Sequence, residues 1–204
     1  MVRRQDRGFF GGLVVFPGGA VDPVDQSSLA RSVVRSGERD HTHRAAALRE
    51  LAEETGLALT GPVAEPAPDL KDEALYRALG ESGKTLEGDL LVLVSRWVTP
   101  EEAPRRFDAH FYVATVESHP EVRLDRAELT DHEWVPASLA LDRYADGVWP
   151  MFLPTVAHLR WLDGRSSIDE VLDAARGADG RTTVEPRRME DGSIVALLMP
   201  ADAP

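Results

Sequence analysis

The clearest hydrophobic pattern in the chain predicts a helix over residues 44–55. This segment is rich in Ala, Leu, Arg and Glu, which favour helices. Ala47, Leu48 and Leu51 form an apolar stripe at helical spacing. Gly56 follows at the position where a helix commonly ends. The pattern therefore predicts a helix with one apolar stripe that ends at a glycine.

Short runs of β-branched and aromatic residues predict several strands. These strands are expected at residues 13–16, 89–97, 107–116, 133–135, 182–189 and 193–199. The first strand runs into the sequence PGG at 17–19, which indicates a tight turn. The last two strands are joined by EDG at 190–192 and are expected to form a hairpin.

Weaker periodic segments predict further helices at 69–82, 154–162 and 167–175, and a helical turn at 29–34. Residues 36–43 are polar and are expected to form a loop. Prolines at 62, 66 and 68 indicate an irregular connector. Because strands and helices interleave, the expected fold class is α/β around a mixed sheet.

Composition narrows the possible functions. The length of 204 residues suggests one domain with appendages or at most two small domains, and a single domain over 1–204 is expected. None of the residues is cysteine. That excludes disulfides, a thiolate nucleophile and cysteine-ligated metal centres. The net charge of −12 disfavours nucleic acid and anionic lipid as partners. An anionic substrate remains possible where a cation bridges it to the protein.

The sequence shows no targeting or membrane-spanning segment. The first ten residues carry four charged side chains and lack an apolar stretch of signal-peptide length. Apolar runs such as residues 90–94 are far shorter than the roughly 20 residues that span a bilayer. A cytoplasmic protein with no membrane partner is therefore expected.

The candidate chemistry lies on the predicted helix 44–55. Glu50, Glu53 and Glu54 are spaced i, i+3 and i+4, so they project from one side of that helix. Like charges at this spacing cost about 0.2–0.5 kcal/mol per pair. A divalent cation offsets the repulsion, and Mg²⁺ and Mn²⁺ prefer carboxylate oxygens. The other interpretation is a solvated acidic helix face.

Two flanking features favour the metal-binding interpretation, and together they resemble the Nudix hydrolase signature. Residues 49–57, RELAEETGL, fit the second half of that signature, Arg-Glu-apolar-any-Glu-Glu-any-Gly-apolar. Gly19, at the end of FPGG, is similar to its opening glycine. Between Gly19 and Arg49 lie 29 residues where the signature has 13, so an insertion of about 16 residues is expected within 20–43. Counting back from Arg49 puts the first signature glutamate at His41, with Glu38 and Asp40 as the acids that would substitute.

The resemblance extends over most of the chain, to a Nudix branch that includes peroxisomal coenzyme A diphosphatases of animals. The similar segments are FPGGAVDP at 16–23, WVTP at 97–100, RFD at 106–108 with Phe111, FLPT at 152–155 with Leu159, and DG at 191–192. In that branch the first strand begins well before an Arg-Arg pair, whereas here Met1 lies two residues before Arg3. Either a truncated or a misassigned start would account for this departure. The resemblance also implies a helical and hairpin extension at about 150–204.

The resemblance implies a Nudix α/β/α sandwich around a mixed sheet, with extra helices and the C-terminal hairpin. It also implies a metal-dependent hydrolase that cleaves the pyrophosphate bond of a nucleoside diphosphate derivative. Coenzyme A or an acyl-CoA is the first expected substrate. A nucleotide sugar, ADP-ribose or a dinucleotide is the alternative, and a non-catalytic nucleotide-binding module is another. Many Nudix proteins pair, so a homodimer is expected.

The resemblance also assigns roles to residues. Glu50, Glu53 and Glu54 are the expected ligands of Mg²⁺ or Mn²⁺, with Glu50 either a third ligand or the acceptor of the water proton. The expected catalytic residues are Glu50, Arg49 and Glu54, where Arg49 orients a carboxylate. The expected substrate-binding residues are Gly18, Gly19 and Arg106.

Other residues have two interpretations each. A downstream glutamate is eligible as an extra ligand or base, and the candidates are Glu117, Glu128 and Glu133. Asp22 and Asp25 are expected to cap a loop, although either would serve the metal site. His41 and His43 are interpreted as surface histidines, because two ligands without partners are weak support for a metal site.

Overall fold

The computed structural model describes residues 1–8, 10–99, 101, 106–118, 120–177, 183–188 and 194–199. Within it the chain divides into two compact units. The first unit comprises Met1–Leu90 with Thr115–Gly164, and the second comprises Leu91–Ala114 with Arg165–Pro204. The expectation of one domain over 1–204 stays a prediction.

Helices and strands alternate along the described chain. The helices are α1 (Ser28–Val33), α2 (His41–Thr55), α3 (Asp72–Glu81), α4 (Ala137–Ala145), α5 (Leu153–Asp163) and α6 (Ile168–Gly177). The strands are β1 (Val2–Arg4), β2 (Val14–Val15), β3 (Val34–Arg35), β4 (Leu57–Leu59), β5 (Ala64–Pro66), β6 (Leu86–Glu87), β7 (Val92–Val98), β8 (Asp108–Val113), β9 (Leu129–His132), β10 (Thr183–Arg188) and β11 (Ile194–Met199). This mixed content confirms the α/β class.

Three small sheets belong to the first unit. In the largest, β1 lies between β2 and β9 and pairs antiparallel with both, so that Val2 faces Val15 on one side and His132 on the other. Strands β3 and β6 pair in parallel, and β4 and β5 pair antiparallel. The central position of β1 fixes the backbone of Arg4, which contributes to the site described below.

Apolar side chains of the first unit form its core. One cluster joins β2 to the last two helices of the unit and contains Val14, Ala140, Trp149, Met151, Val156 and Leu159. A second cluster, Val2, Leu124 and Leu129, lies under the three-stranded sheet. Burial of this kind contributes roughly 25 cal/mol per Å² of apolar surface, and it holds the elements that carry the site.

Helix α2 begins three residues earlier than its predicted start at residue 44, so the predicted loop at 36–43 is wrong in its last three positions. The first turn is anchored because His41 is buried and its Nδ1 lies 2.8 Å from the Ser36 hydroxyl. The helix ends as predicted at Gly56, which has φ +69° and donates its N–H to the Ala52 carbonyl. These two ends fix the length of the acidic helix.

The second unit contains a four-stranded sheet in the order β11-β10-β7-β8. Strands β7 and β8 are antiparallel, and Arg96 and Asp108 pair across them through two contacts of 2.6 and 2.7 Å. Strand β10 runs parallel to β7 and antiparallel to β11. The two predicted strands of the hairpin therefore pair as expected. The connecting residues 190–192 lie outside the described residues.

Several short elements differ from the predictions. The strand expected at 133–135 is wrong, since β9 ends at His132 and pairs with the unpredicted strand β1. The proline-rich connector contains β5, which accommodates Pro66 at its last position. A two- or three-residue strand has too few positions for an alternating pattern to be recognised in the sequence. Such a strand forms because it pairs with a neighbouring strand. None of the described helices is both long and apolar enough to cross a bilayer.

Candidate functional site

The acidic side of α2 opens into a cleft of about 430 Å³ within the first unit. The glycine turn and residues 20–22 form one wall, and Arg4, Lys71, Asp72 and Glu128 lie around the opening. The three glutamates predicted as metal ligands line this cleft together with Arg49. The structure therefore brings together residues that are more than 100 positions apart.

Glu54 is the most deeply placed carboxylate, with 2% of the residue exposed. Its Oε2 accepts a hydrogen bond of 2.9 Å from the Gly18 N–H, and its Oε1 lies 3.3 Å from Nη1 of Arg4. Burial raises the pKa of Glu54 to about 7, and the nearby charges of Glu50 and Glu128 act in the same direction. Two donors therefore offset only part of the cost of burying this charge.

Glu50 and Glu53 share one donor, Nη1 of Arg49, at 2.9 and 3.3 Å. The other oxygen of Glu53, Oε1, accepts a 2.7 Å hydrogen bond from the N–H of Asp72 at the start of α3. Burial raises the pKa of both glutamates. Each carboxylate is thus oriented by a donor while it remains costly to ionise.

Arg49 is 2% exposed and donates from all three of its nitrogens. Its Nε and Nη2 bind the two oxygens of Asp25 at 2.9 and 3.1 Å, which is the bidentate geometry that suits a guanidinium. Nη2 also binds the Ala20 carbonyl at 2.9 Å. Burial alone lowers the pKa of Arg49, but Asp25 and the two glutamates raise it overall. This arrangement supports the predicted role of Arg49 in orienting carboxylates.

Asp25 corrects the predicted position of the first signature acid. The structure pairs Arg49 with Asp25, and not with His41, Glu38 or Asp40. Five residues separate Gly19 from Asp25, the spacing that the signature has between its glycine and its first glutamate. Counting forward from the glycine therefore finds the residue that counting back from Arg49 misses, because the extra residues lie after Asp25.

The predicted cap role of Asp22 and Asp25 is present as well. The two aspartates cap a short 3-10 helix, Pro23–Gln26, in which the Asp22 side chain accepts from the Val24 N–H and Asp25 accepts from the Asp22 N–H. Asp25 therefore serves both the loop and Arg49. The cap holds the loop in one conformation, and that conformation places the Asp25 carboxylate against the Arg49 guanidinium.

The glycine turn lies very close to the carboxylates. Gly18 has φ +150°, a conformation that favours glycine, and this orients its N–H toward Glu54. A Cβ added to Gly19 would lie 2.4–2.5 Å from the carboxylate atoms of Glu50. A larger residue at position 19 would therefore force the Glu50 carboxylate to move from its observed position.

Of the three downstream glutamates considered, the structure places Glu128 at the cleft. Its carboxylate lies 2.9 Å from Nζ of Lys71 and 3.6 Å from Nη2 of Arg4. Glu133 pairs with Arg143 instead, and Glu117 is exposed. Sequence reasoning did not find Arg4 or Lys71, since both are distant from the signature and no local pattern marks them.

Two other predictions have different outcomes. Arg106 belongs to the second unit, where it is exposed and its Nε lies 3.4 Å from the Thr99 carbonyl, and its substrate role stays a prediction. His41 is 5% exposed, so its interpretation as a surface histidine is wrong. His43 is partly exposed and pairs with Asp40 at 2.9 Å.

Comparisons with known proteins decide the family, since the NUDIX domain matches residues 1–152. The chain belongs to the Nudix family. It is 28% identical over 162 residues to "Putative nudix hydrolase 7" of Caenorhabditis elegans. That alignment covers 76% of this chain but 51% of the relative, so the chain spans about half the length of that protein.

A solved structure matches as well, the NUDIX hydrolase from Alicyclobacillus acidocaldarius. The two chains share 32% identity with a TM-score of 0.73, and the match covers 84% of this chain and 86% of the other. This confirms the predicted Nudix fold class. Both relatives carry the name of a Nudix hydrolase, one of them as a putative one, which supports the enzyme class predicted from the sequence.

The donor set of this Nudix cleft fits a divalent cation. Glu50, Glu53 and Glu54 offer carboxylate oxygens, the ligands that Mg²⁺ and Mn²⁺ prefer. Burial raises the pKa of all three groups, so ionising each carboxyl has a cost that its protein donors do not fully offset. A cation within the cleft would supply that compensation.

Proposed function

We propose that this chain is a Mg²⁺- or Mn²⁺-dependent pyrophosphohydrolase that cleaves the diphosphate linkage of a nucleoside diphosphate derivative. The observation that carries the proposal is the meeting of three glutamates of α2 in one cleft, around an Arg49 that Asp25 holds in place. Family membership and the two hydrolase relatives support the same reaction class.

Glu53 and Glu54 are the first ligands in this proposal, and Glu50 is the third ligand or the acceptor of the water proton. When bound, the cation neutralises phosphate oxygens and lowers the pKa of a water molecule. Arg49 orients Glu50 and Glu53, and the Gly18 N–H orients Glu54. Phosphoryl transfer depends mainly on such positioning and charge neutralisation, so the protein needs no covalent step.

Coenzyme A or an acyl-CoA is the proposed substrate, cleaved to 3′,5′-ADP and a phosphopantetheine product. The proposal rests on the resemblance to the coenzyme A diphosphatase branch along the FPGGAVDP, WVTP and FLPT segments. Arg4 and Lys71 at the cleft opening are cations of the kind that phosphate groups require. A nucleotide sugar, ADP-ribose or a dinucleotide contains the same diphosphate linkage and is the alternative.

A substrate panel tests the proposal directly. The purified chain is incubated with CoA, an acyl-CoA, NADH, ADP-ribose, a nucleotide sugar and a dinucleoside polyphosphate, each with Mg²⁺ and with Mn²⁺. We expect hydrolysis at the diphosphate, loss of activity with EDTA, and highest turnover with CoA or acyl-CoA. No turnover of any compound with either metal would contradict the enzyme and favour a binding module.

A glutamate variant with a matched control locates that activity. Glu54→Gln keeps the side-chain shape but removes the charge, and we expect turnover to fall by about 100-fold or more, since the residue is a proposed ligand. Glu73→Gln changes an exposed glutamate of α3 that pairs with Arg77 and should leave turnover at the parent value. Equal activity in Glu54→Gln and the parent would remove Glu54 from the mechanism.

A further inference from the structure

Helix α3 contributes a fully buried tyrosine to the network beneath the site. Tyr76 has no exposed surface, and its hydroxyl lies 2.8 Å from Oδ1 of Asp25 and 3.0 Å from the Ala45 carbonyl. The hydroxyl has a single proton to donate, and the charged carboxylate is the stronger acceptor. Burial raises the pKa of Tyr76, and the charge of Asp25 and its hydrogen bond with the hydroxyl act in the same direction. The hydroxyl therefore remains protonated.

The Asp25 carboxylate is itself without exposed surface and depends on four donors. Oδ1 accepts from Nε of Arg49 and from Tyr76, and Oδ2 accepts from Nη2 of Arg49 and from the N–H of Asp22. A buried carboxylate is tolerated when its oxygens are hydrogen-bonded in this way. The position of the carboxylate therefore depends on every one of these donors, including Tyr76.

The chain of contacts continues to the proposed metal ligands. Asp25 holds Nε and Nη2 of Arg49, and the remaining nitrogen, Nη1, binds Glu50 and Glu53. A guanidinium is planar and rigid, so a shift at Nε moves Nη1 with it. Tyr76 is thus three hydrogen bonds away from the pair of carboxylates, with Asp25 and Arg49 between them.

The same helix makes a second, independent contact with the ligand set. The backbone N–H of Asp72, at the start of α3, donates to Oε1 of Glu53 at 2.7 Å. Asp72 has φ +51°, a left-handed conformation that is uncommon for a residue other than glycine. Such strain persists where surrounding contacts impose it, and here it accompanies the hydrogen bond to Glu53.

We propose that Tyr76 is a positioning residue of the metal site, whose hydroxyl acts through the Asp25 carboxylate to hold Arg49 in register with Glu50 and Glu53. The inference rests on the proposed function in taking these glutamates as metal ligands. It assigns to α3 a role beyond packing, since the aromatic ring alone would fill the same space.

The test separates the hydroxyl from the ring. Tyr76→Phe removes only the oxygen, and Tyr144→Phe, an exposed tyrosine of α4, is the matched control. Mn²⁺ alone is titrated into each protein and free Mn²⁺ is followed by electron paramagnetic resonance, while thermal unfolding is measured without metal. We expect Tyr76→Phe to bind Mn²⁺ about five- to tenfold more weakly than the parent, from the loss of one hydrogen bond to a charged group. Tyr144→Phe should match the parent.

A double-mutant cycle tests the route through Asp25. In an Asp25→Ala background the hydroxyl no longer has a side-chain oxygen at position 25 to hold, so adding Tyr76→Phe should change Mn²⁺ affinity by less than about twofold. Full, independent effects of the two substitutions would overturn the route. If Asp25→Ala does not fold, the single Tyr76→Phe variant decides the inference from Mn²⁺ affinity and from kcat.

The outcomes distinguish this inference from the proposed function. Parental Mn²⁺ affinity in Tyr76→Phe, whether or not its melting temperature falls, would overturn the positioning role and leave only a structural one. A parent that binds Mn²⁺ but hydrolyses no diphosphate would overturn the proposed function, and the Tyr76→Phe titration would still decide the inference. A parent that binds no Mn²⁺ would overturn both.

Discussion

At the scale of single residues, the site depends on close contacts that leave little room for substitution. Gly18 provides an N–H to Glu54, and Gly19 leaves space for the Glu50 carboxylate. Arg49 pairs with Asp25 through two of its nitrogens and contacts Glu50 and Glu53 through the third. The proposed chemistry therefore requires small residues as much as charged ones.

Gly19→Ala tests the steric requirement. The added Cβ would lie 2.4–2.5 Å from the Glu50 carboxylate, so Glu50 must move away. We expect turnover and Mn²⁺ affinity to fall by about tenfold or more, because ligand geometry is lost. Gly37→Ala, whose added Cβ meets nothing within 4 Å, is the control. Parental affinity and turnover in Gly19→Ala would show that Glu50 does not need its observed position.

The pKa of Glu54 predicts a pH dependence of stability in the metal-free protein. Because burial raises this pKa from 4.5 to about 7, the folded state binds the proton more tightly than the unfolded state. The contribution of Glu54 to the free energy of unfolding therefore falls as pH rises from 4.5 to 7, by on the order of 1–3 kcal/mol. Glu54→Gln should lose this part of the slope.

Urea unfolding of the parent and Glu54→Gln at pH 5 and pH 8 measures the difference. The expected result is a stability advantage of Glu54→Gln over the parent that is larger at pH 8 than at pH 5. The same difference at both pH values would contradict the raised pKa. Added Mn²⁺ should stabilise the parent at pH 8 and have a smaller effect at pH 5, where protons compete for the carboxylate.

The sequence predicts those site residues that lie close together along the chain and misses those that only folding brings together. The three glutamates and Arg49 lie within one helical turn or two, so periodicity alone places them together. Asp25 also has a local signal, its spacing from Gly19, but an insertion of uncertain position concealed it. Tyr76 has no such signal, because only tertiary structure brings its hydroxyl to Asp25 and to the Ala45 carbonyl of α2.

At the scale of elements, α2 is the component that the rest of the first unit supports. Its last turn ends at Gly56, whose left-handed conformation lets the chain turn into β4. The carbonyl of Gly56 then accepts from the Ala67 N–H, and the carbonyls of Glu54 and Thr55 accept from the N–H groups of Asp125 and Arg123 in the loop before β9. The end of the helix is thus tied to two separate segments.

Gly56→Ala tests the importance of that end. The φ of +69° disfavours any side chain, and a Cβ would lie 3.0 Å from Cβ of Arg123. We expect a loss of about 1–2 kcal/mol in the free energy of unfolding, measured with urea. Gly61→Ala, where an added Cβ meets nothing within 4 Å, should be close to the parent. Equal stability of the two variants would contradict the role of the cap.

Element prediction succeeded where the pattern was long. Helices α2, α3, α5 and α6 and the strands β7 and β8 were predicted with shifts of a few residues at their ends. Helix α4 and the short strands β1, β3, β4, β5, β6 and β9 were missed or misplaced. Strands of two to four residues form because a partner strand is present, and that information is not local in the sequence.

At the scale of the whole molecule, the net charge of −12 opposes the binding of an anionic diphosphate in the cleft, because like charges repel. The proposed solution is a divalent cation between the glutamates and the phosphates, with Arg4 and Lys71 at the opening. The composition left an anionic substrate possible where a cation bridges it to the protein. The family match over residues 1–152 and the solved relative then place this cleft in a Nudix fold.

Anomalous diffraction from crystals soaked in Mn²⁺ shows whether the glutamates of α2 bind the cation. We expect an anomalous peak in the cleft within ligand distance of carboxylate oxygens of Glu53 and Glu54, and its absence in crystals of Glu54→Gln. A peak away from these residues, or an empty cleft in crystals whose solution Mn²⁺ exceeds the measured dissociation constant, would contradict that expectation.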